Sequence, residues 1–561
     1  MRGANRLDQA IVSLRNCVED TRLVLDTPGV EHARTLRREI VQQVDDHVLP
    51  RMRHPGAPIL VVVGGSTGVG KSTVVNTLIR ERVTSPGVRR PTTRSPVLVC
   101  NPKDAPWFVD GGPLAELPRV REPTDGLADD VRAPVMAEVD DLPRGVALLD
   151  NPDIDSVEDI HRAIASTFAI AADVWLHVTT PARYADAAPW RLLRAAHERG
   201  ATLALVLNRV PSEGGDDVRT DLAAMLDEAG VEERVRFSVP ETTVHEGLLP
   251  IQAVEPLRSW LTEIADDATR AETAARVLDG ALDSFRIRAP SLARHVESQA
   301  AATAELRSSA EAAYAAALTE VDEATRNGSL LSGEVLIRWQ DFVGTGEALR
   351  ALRAQAGPLR SRFPRRRPRR AAGGDDLRSA LTATLRALVV TGAEQAAGRA
   401  VESWRAHPAA APVLDAADGP LEHASPQAER RASAAVSGWC DYVLEAVRGQ
   451  GATKRSVSRV LSSDPDGLGL VLIVGLLGYA TGDIPVASGT SALPQRLLST
   501  LFGAESLRTI GAKARQDLRM RVAAVFDDEA LRFIEALERA DLADDAAIRL
   551  YQATYALEEA R

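Results

Sequence analysis

Residues 59–73 form a glycine-rich segment whose residue types and spacing suit the binding of phosphate. The segment reads ILVVVGGSTGVGKST, and Gly65, Gly70, Lys71 and Ser72 fit the pattern GxxxxGK[ST]. Glycines let the backbone turn successive N–H groups inward, where they and a following helix N-terminus hold phosphate oxygens. The lysine would neutralise the β- and γ-phosphates, and the Ser72 hydroxyl would bind Mg²⁺. An apolar run before the motif and a helical pattern after it give the strand–loop–helix context of a P-loop.

The whole loop is therefore predicted to contact a nucleoside triphosphate. The predicted contacts are Gly65, Ser66, Thr67, Gly68, Val69, Gly70, Lys71, Ser72 and Thr73.

A second chemical feature is a carboxylate at the end of an apolar run. Residues 146–150 read VALLD, and Asp150 at the end of a buried strand is placed to support Mg²⁺ through its water shell. The next residues, Asn151, Pro152 and Asp153, resemble the DxPG motif of GTPases, with Asp153 in place of the glycine. That exchange keeps the backbone N–H that would contact the γ-phosphate.

A threonine pair lies between these two motifs. Residues 89–99 read RRPTTRSPVLV, and a threonine in the loop before the second strand is placed to contact Mg²⁺ and the γ-phosphate. The pattern Thr-Arg-x-Pro followed by apolar residues resembles that of dynamin-superfamily GTPases. The resemblance favours Thr93 over Thr92 as the third metal-binding group beside Ser72 and Asp150.

Asn208 marks the place where the base of the nucleotide is expected. The run LALVLNRVP at 203–211 ends a predicted strand, and Asn208 matches the start of the guanine-reading motif NKxD. Arg209 replaces the lysine and Pro211 replaces the aspartate. Glu213 or Asp216 would have to supply the missing carboxylate, so the preference for GTP over ATP stays open at this point.

Taken together, residues 56–250 resemble the GTPase domain of bacterial dynamin-like proteins, and the helical pattern at 333–353 is similar to their helical region. The resemblance implies GTP and GDP as ligands, Mg²⁺ as cofactor, and hydrolysis in which Lys71, Thr93 and Thr67 take part. Thr67 stands where dynamins have a water-orienting glutamine, and Ile154 follows the DxPG position. Backbone groups, a potassium ion or a partner subunit would have to position the water, and intrinsic turnover should be slow.

The order of patterns predicts the fold class and the domains. Apolar runs alternate with helical segments at 72–80, 158–172 and 186–199, as in a mainly parallel sheet flanked by helices. Almost everything after residue 250 reads as helix. We expect an α/β P-loop GTPase domain plus an extended all-α bundle, divided as follows: N-terminal helices packing on the bundle, 1–55; GTPase domain, 56–250; stalk, 251–359 and 375–460; arginine-rich loop, 360–374; apolar hairpin or membrane paddle, 461–505; C-terminal helices, 506–561.

Composition bounds the location and the partners. The net charge is −11, which disfavours a general nucleic-acid binder, so no specific nucleic acid is expected. The three cysteines show neither a CxxC spacing nor an even count, which indicates a reducing compartment. The first residues lack the apolar core of a signal peptide. The expected location is cytoplasmic, and a peripheral position at the inner face of the cell membrane stays open.

Two segments bear on membrane contact. Seven arginines lie between Arg360 and Arg370, where they would form a solvated loop or bind anionic headgroups. Sixteen uncharged residues run from Gly467 to Gly482, slightly short of the roughly 20 that a spanning helix needs. A buried core hairpin, a membrane-dipping paddle and a spanning helix all remain open for this run.

Several functions compete. The resemblance implies a GTPase that couples slow hydrolysis to self-assembly, or to pairing with a related GTPase subunit, and to contact with an anionic membrane. A soluble GTPase or ATPase switch with a protein-binding helical domain shares the site without the bilayer. An ABC-type ATPase would need LSGGQ before its second carboxylate motif, but only LSGE at 331–334 is present. A small-molecule kinase would rarely carry so long a helical region.

Overall fold

The computed structural model describes most of the chain as two compact units. Unit 1 comprises Met1–Leu23, Gly29–Glu297 and Ala543–Arg561, and unit 2 comprises Val24–Pro28 and Ser298–Leu542. The described residues are 2–83, 96–109, 112–113, 134–151, 167–228, 231, 235–327, 329–330, 332–344, 372–451, 465–478, 504–539 and 545–561.

Unit 1 contains a seven-stranded sheet that is parallel except at one pair. Its order is β3-β2-β4-β1-β5-β6-β7, and only β2 with β4 is antiparallel among the described pairs. The mainly parallel sheet predicted from the alternating pattern is thus confirmed, although the sequence analysis missed β3. The strands are β1 Ile59–Gly64, β2 Val97–Cys100, β3 Val135–Glu138, β4 Val146–Asp150, β5 Val174–Thr179, β6 Thr202–Val210 and β7 Val235–Pro240.

Helices cover both faces of this sheet, which explains why the central strands are mostly apolar on both sides. One face packs against α4 and α8, and the opposite face packs against α6 and α7. Because neighbouring residues of a strand point to opposite faces, a strand covered on both faces has no polar side. The helices of unit 1 up to this point are α1 Arg2–Glu19, α2 Val30–Gln43, α3 Leu49–Arg53, α4 Lys71–Ile79, α5 Ala105–Val109, α6 Ala187–Glu198, α7 Gly215–Glu228 and α8 Ile251–Ala265.

The N-terminal helices belong to the same unit as the sheet. Their apolar stripes pack against residues 281–296 of the long helix α9 (Asp267–Arg326) and against the C-terminal helix α16 (Ala546–Ala560). A turn of π-helix at Val44–Val48 joins α2 to α3. The sequence analysis predicted that residues 1–55 pack on the helical bundle. In the structure the helices that they contact lie in unit 1, the unit that contains the sheet.

A buried ionic network ties these helices to the base of the sheet. Asp173, just before β5, is fully buried and accepts hydrogen bonds from His47 Nε2 at 3.0 Å and from the Leu60 N–H at 2.7 Å. The oxygen that accepts from Leu60, Oδ2, also contacts the Arg51 guanidinium, while His47 binds Oδ1. Burial favours a raised pKa for Asp173, but the charge of Arg51 and the hydrogen bonds outweigh it, so the pKa lies below its ordinary value. The carboxylate is therefore ionised and paired.

Unit 2 is helical in its described part. The second half of α9 packs with the other helices around one apolar core that includes three aromatic contacts of Phe526 and Phe533. Residues 24–28 join this unit because the Gln299 amide bonds both the N–H and the carbonyl of Leu25 at 2.8 Å. The helices are α10 Gly333–Gly344, α11 Ala372–Ala406, α12 Ala411–Asp415, α13 Ala428–Gly451, α14 Pro465–Gly478 and α15 Ala504–Glu538.

The uncharged run at 467–482 overlaps α14, which spans Pro465–Gly478. Its described apolar side chains, from Leu470 to Leu477, are buried in the core of unit 2. In this structure the side chains of 470–474, 476 and 477 thus form part of a protein core, while 479–482 and the arginine run at 360–370 lie outside the described residues. Among the described helices, none has both the length and the apolarity that crossing a membrane requires.

Candidate nucleotide-binding site

The predicted P-loop lies between β1 and α4, at the carboxyl edge of the sheet. Gly65, Gly68 and Gly70 have φ values of 150°, 79° and 98°, conformations that side chains rarely adopt. Gly64 also has to be glycine, because a Cβ there would lie 2.1 Å from the ring of Trp175. Gly70 immediately precedes α4, so the loop opens directly into a helix N-terminus. This is the arrangement in which backbone N–H groups and a helix dipole hold an anion.

Lys71 lies inside the loop rather than in solvent. Its side chain is buried, and Nζ donates to the carbonyl oxygens of Gly65 at 2.9 Å and Ser66 at 3.2 Å. The loop thus holds its ammonium group where bound phosphate oxygens would lie.

Ser72 and Asp150, both predicted to hold Mg²⁺, lie in hydrogen-bond contact, and their binding of a metal stays a prediction. Ser72 Oγ donates to Asp150 Oδ2 at 2.7 Å, and Asp150 is fully buried at the end of β4 beside Val63 of β1. A hydroxyl and a carboxylate are the oxygen donors that Mg²⁺ prefers. In the described part of the chain, no three His, Cys, Asp or Glu side chains form a metal cluster. These two residues fit Mg²⁺ if phosphate and water supply the other ligands.

Two polar residues that the sequence analysis did not single out adjoin the loop. Ser66 Oγ donates to Asp186 Oδ2 at 2.9 Å, which links the loop to the residue before α6. His177 pairs in register with Gly64 near the end of β5 and is almost fully buried. Burial, followed by the charge of Lys71, lowers the pKa of His177 to about 4. A histidine within a mostly apolar strand was the signal available in the sequence.

Asn208 lies against the loop at the end of β6. Its side-chain amide donates to the Val69 carbonyl at 2.8 Å, and its oxygen accepts from the Arg209 N–H at 3.0 Å. A register shift between β6 and β7 at this point sets two residues of β6 against one of β7, as in a β-bulge. Arg209 has a φ of 55° and is exposed. In this structure Asn208 holds the loop, and its contact with a base stays a prediction.

Some of the other predicted site residues lie within the described part of the chain, and others lie outside it. Thr67 is half-buried in the loop, and Thr73 lies in the first turn of α4, where its carbonyl accepts from Thr77 Oγ1 at 2.7 Å. Glu213 and Asp216 are exposed next to the start of α7, and Asp216 pairs with Arg219 of the same helix. The metal-binding candidate Thr93, its neighbour Thr92, and Asp153 and Ile154 all lie outside the described residues.

Replacing Gly65 with alanine should weaken nucleotide binding far more than replacing Gly68. A Cβ at Gly65 would lie 2.1 Å from the Val178 carbonyl oxygen, whereas one at Gly68 would meet nothing within 4 Å. Both glycines have positive φ, so an alanine is disfavoured by the backbone conformation at either position. The difference between the two variants therefore reports the steric clash with the Val178 carbonyl oxygen. Strain of about 1–3 kcal/mol corresponds to a loss of roughly 5- to 150-fold in affinity. Titration with a fluorescent GDP analogue measures it, and equal losses in both variants would contradict this geometry.

Comparisons with known proteins give structural matches only. No family model matches the chain, and no curated protein matches it. Two structures of an oligomerised bacterial dynamin pair, described as a mechanism for the long-range sensing and tethering of membranes, align at 9% identity with TM-scores of 0.41 and 0.42. They cover 100% and 99% of this chain and 95% of their own. The bacterial dynamin GTPase LeoA from ETEC aligns at 11% identity and a TM-score of 0.24, over 100% of this chain and 98% of its own.

Proposed function

We propose that this protein is a dynamin-like GTPase that binds GTP and GDP with Mg²⁺ and hydrolyses GTP slowly. The observation that carries the proposal is the loop between β1 and α4. It combines three glycines of positive φ, the buried Lys71 ammonium and the Ser72–Asp150 contact of 2.7 Å in one place. Phosphoryl transfer depends mainly on positioning and charge neutralisation, which these groups are suited to supply.

Each residue has a distinct role in this proposal. Backbone N–H groups of residues 65–71 hold the phosphates, and Lys71 neutralises charge on the β- and γ-phosphates. Ser72 binds Mg²⁺ directly, Asp150 orients its hydroxyl, and Thr93 completes the protein ligands. Mg²⁺ supplies charge stabilisation on the phosphate oxygens when bound. Asn208 fixes the loop from the side on which the base would lie, with Arg209 beside it.

The proposal includes an assembly step and a peripheral location. The resemblance of residues 56–250 to bacterial dynamin-like proteins supports self-assembly, or pairing with a related GTPase subunit, at the cytoplasmic face of a membrane. In this proposal the arginines at 360–370 contact anionic headgroups, and the nucleotide state biases that contact.

A second candidate is a P-loop switch whose helical unit binds proteins and has no membrane role. The burial of α14 in the core of unit 2 favours it, because a segment packed in this way is not presented to a bilayer. Co-sedimentation with anionic liposomes in the presence of GTP, GDP or no nucleotide separates the two. Pelleting in any of these states supports the first candidate, and its absence in all three supports the second.

The hydrolytic part is tested by phosphate release. Purified protein with GTP and Mg²⁺ should release inorganic phosphate slowly, and EDTA should stop the release because it removes the Mg²⁺ on which the proposed reaction depends. Ser72→Ala should act in the same direction as EDTA, while Ser332→Ala, at an exposed serine of unit 2, should have no effect. Release that is unaffected by EDTA and by Ser72→Ala would contradict the proposed site.

A further inference from the structure

Hydrolysis of a phosphoanhydride needs a water molecule held in line with the γ-phosphorus. A group that holds such a water must lie near the phosphate loop and have hydrogen-bonding capacity that the protein itself does not use. His177 has both properties. It was not among the residues assigned to the nucleotide above.

The position of His177 follows from the sheet. His177 on β5 is the register partner of Gly64, the last residue of β1. Strand alternation places its side chain on the same face as Trp175, opposite to α4, and Gly64 contributes no side chain there. The next residue along the loop, Gly65, lies against the Val178 carbonyl, since a Cβ on Gly65 would come within 2.1 Å of that oxygen. The imidazole is therefore placed directly beside the start of the P-loop.

The imidazole of His177 is buried, and one of its two nitrogen atoms lacks a hydrogen-bond partner in the described chain. His177 is 4% exposed, and within the described chain Nδ1 has no hydrogen-bond partner. Buried polar atoms in folded proteins are almost always paired, so an orphan beside a functional loop calls for a ligand or a water. Burial and the charge of Lys71 hold the pKa of His177 at about 4, so the ring is neutral near pH 7. A neutral ring presents one N–H donor and one acceptor nitrogen.

We propose that His177 Nδ1 holds the attacking water beside the P-loop, an inference that rests on the GTPase function proposed above. In the step, the water oxygen bonds to the γ-phosphorus while the bond from that phosphorus to the β–γ bridging oxygen breaks. The electron pair of the broken bond leaves with GDP, and the protons of the water end on the released phosphate. His177 orients the water and takes no proton.

The test is a set of substitutions that separates hydrolysis from folding. In His177→Phe the turnover number for GTP should fall by about 100-fold, while KM and GDP affinity stay within about twofold. The melting temperature should not fall, because replacing an unpaired buried polar group with an apolar one of similar shape costs little. A histidine that only supported the fold would lose stability and nucleotide affinity together with turnover.

Two further variants make the test specific to the atom. His177→Asn places a polar atom near the position of Nδ1 and should recover part of the lost turnover. His177→Gln places its polar atoms farther out and should recover less. His197→Phe, at another histidine of unit 1, is the matched control and should behave as wild type.

Each outcome bears on the proposal. Full turnover in His177→Phe overturns the role of His177 and leaves the GTPase function standing. Parallel losses of turnover, affinity and melting temperature in that variant also overturn it, in favour of a structural role. If wild type fails to bind GTP, the proposed function itself fails. If wild type binds GTP but releases no phosphate, both the hydrolytic function and the role of His177 are refuted.

Discussion

Replacing Lys71 with alanine is expected to lower nucleotide affinity by at least about 100-fold. The ammonium group lies within the loop, 2.9 Å from the Gly65 carbonyl oxygen, and no other lysine in the chain occurs near this motif. Hydrogen bonds to a charged group are each worth about 1.5–3 kcal/mol, so the loss of two phosphate contacts gives a change of that order. Equilibrium titration with a fluorescent GDP analogue measures the change.

The control for this prediction is Lys513→Ala. Lys513 is exposed on α15 of unit 2, so its removal changes the net charge by the same amount without touching the loop. Circular dichroism of both variants verifies that the chain is folded. Wild-type affinity in Lys71→Ala would mean that nucleotide, if bound at all, binds elsewhere.

Asp173→Ala should give the largest loss of stability among the substitutions considered. It removes the shared acceptor of His47, Arg51 and the Leu60 N–H, and leaves the buried Arg51 guanidinium without its carboxylate. Breaking a buried pair in this way typically costs about 3–5 kcal/mol. Urea unfolding followed by tryptophan fluorescence measures it, and Asp267→Ala provides the control. Asp267 is 93% exposed and pairs with Arg270 in the adjacent turn, so its loss should cost at most about 1 kcal/mol.

The same network predicts a dependence on pH. Because the pKa of Asp173 is lowered in the folded chain, its stabilising contribution is complete above the ordinary value of 3.8 and declines as the pH falls below it. Asp173→Ala should lose this part of the acid sensitivity, while Asp267→Ala should retain it. Equal unfolding midpoints for the two variants at neutral pH would contradict the buried network.

The sheet could be predicted from the sequence because its strands are buried on both faces. Residues 146–149 are continuously apolar, residues 174–179 are apolar except for His177 and Thr179, and the two predicted runs fall on β4 and β5. β3 escaped because Val135–Glu138 lies at the sheet edge, half-exposed and only four residues long. The proximity of Ser72 and Asp150 could also be predicted from the sequence. The carboxyl end of β4 and the N-terminus of α4, which follows β1, lie at the same edge of a parallel sheet.

Other parts of the site depend on tertiary contacts that sequence spacing does not encode. Asn208 was predicted to contact a base. In the structure its side-chain amide donates to the Val69 carbonyl of the P-loop, at the point where the register between β6 and β7 shifts. His177 and Asp186 belong to no motif and reach the loop only through strand register and the start of α6. The uncharged run at 467–482 suited both a bilayer and a protein core, because both are apolar surroundings.

The most direct measurement of the central proposal is competition for one labelled nucleotide. A fluorescent GDP analogue is bound to wild-type protein with Mg²⁺ and is displaced by increasing GTP or ATP. We expect GTP to displace it at a concentration at least about tenfold below that of ATP, a difference of about 1.4 kcal/mol. Displacement by neither nucleotide, or by ATP as readily as by GTP, would contradict a guanine-nucleotide site at this loop.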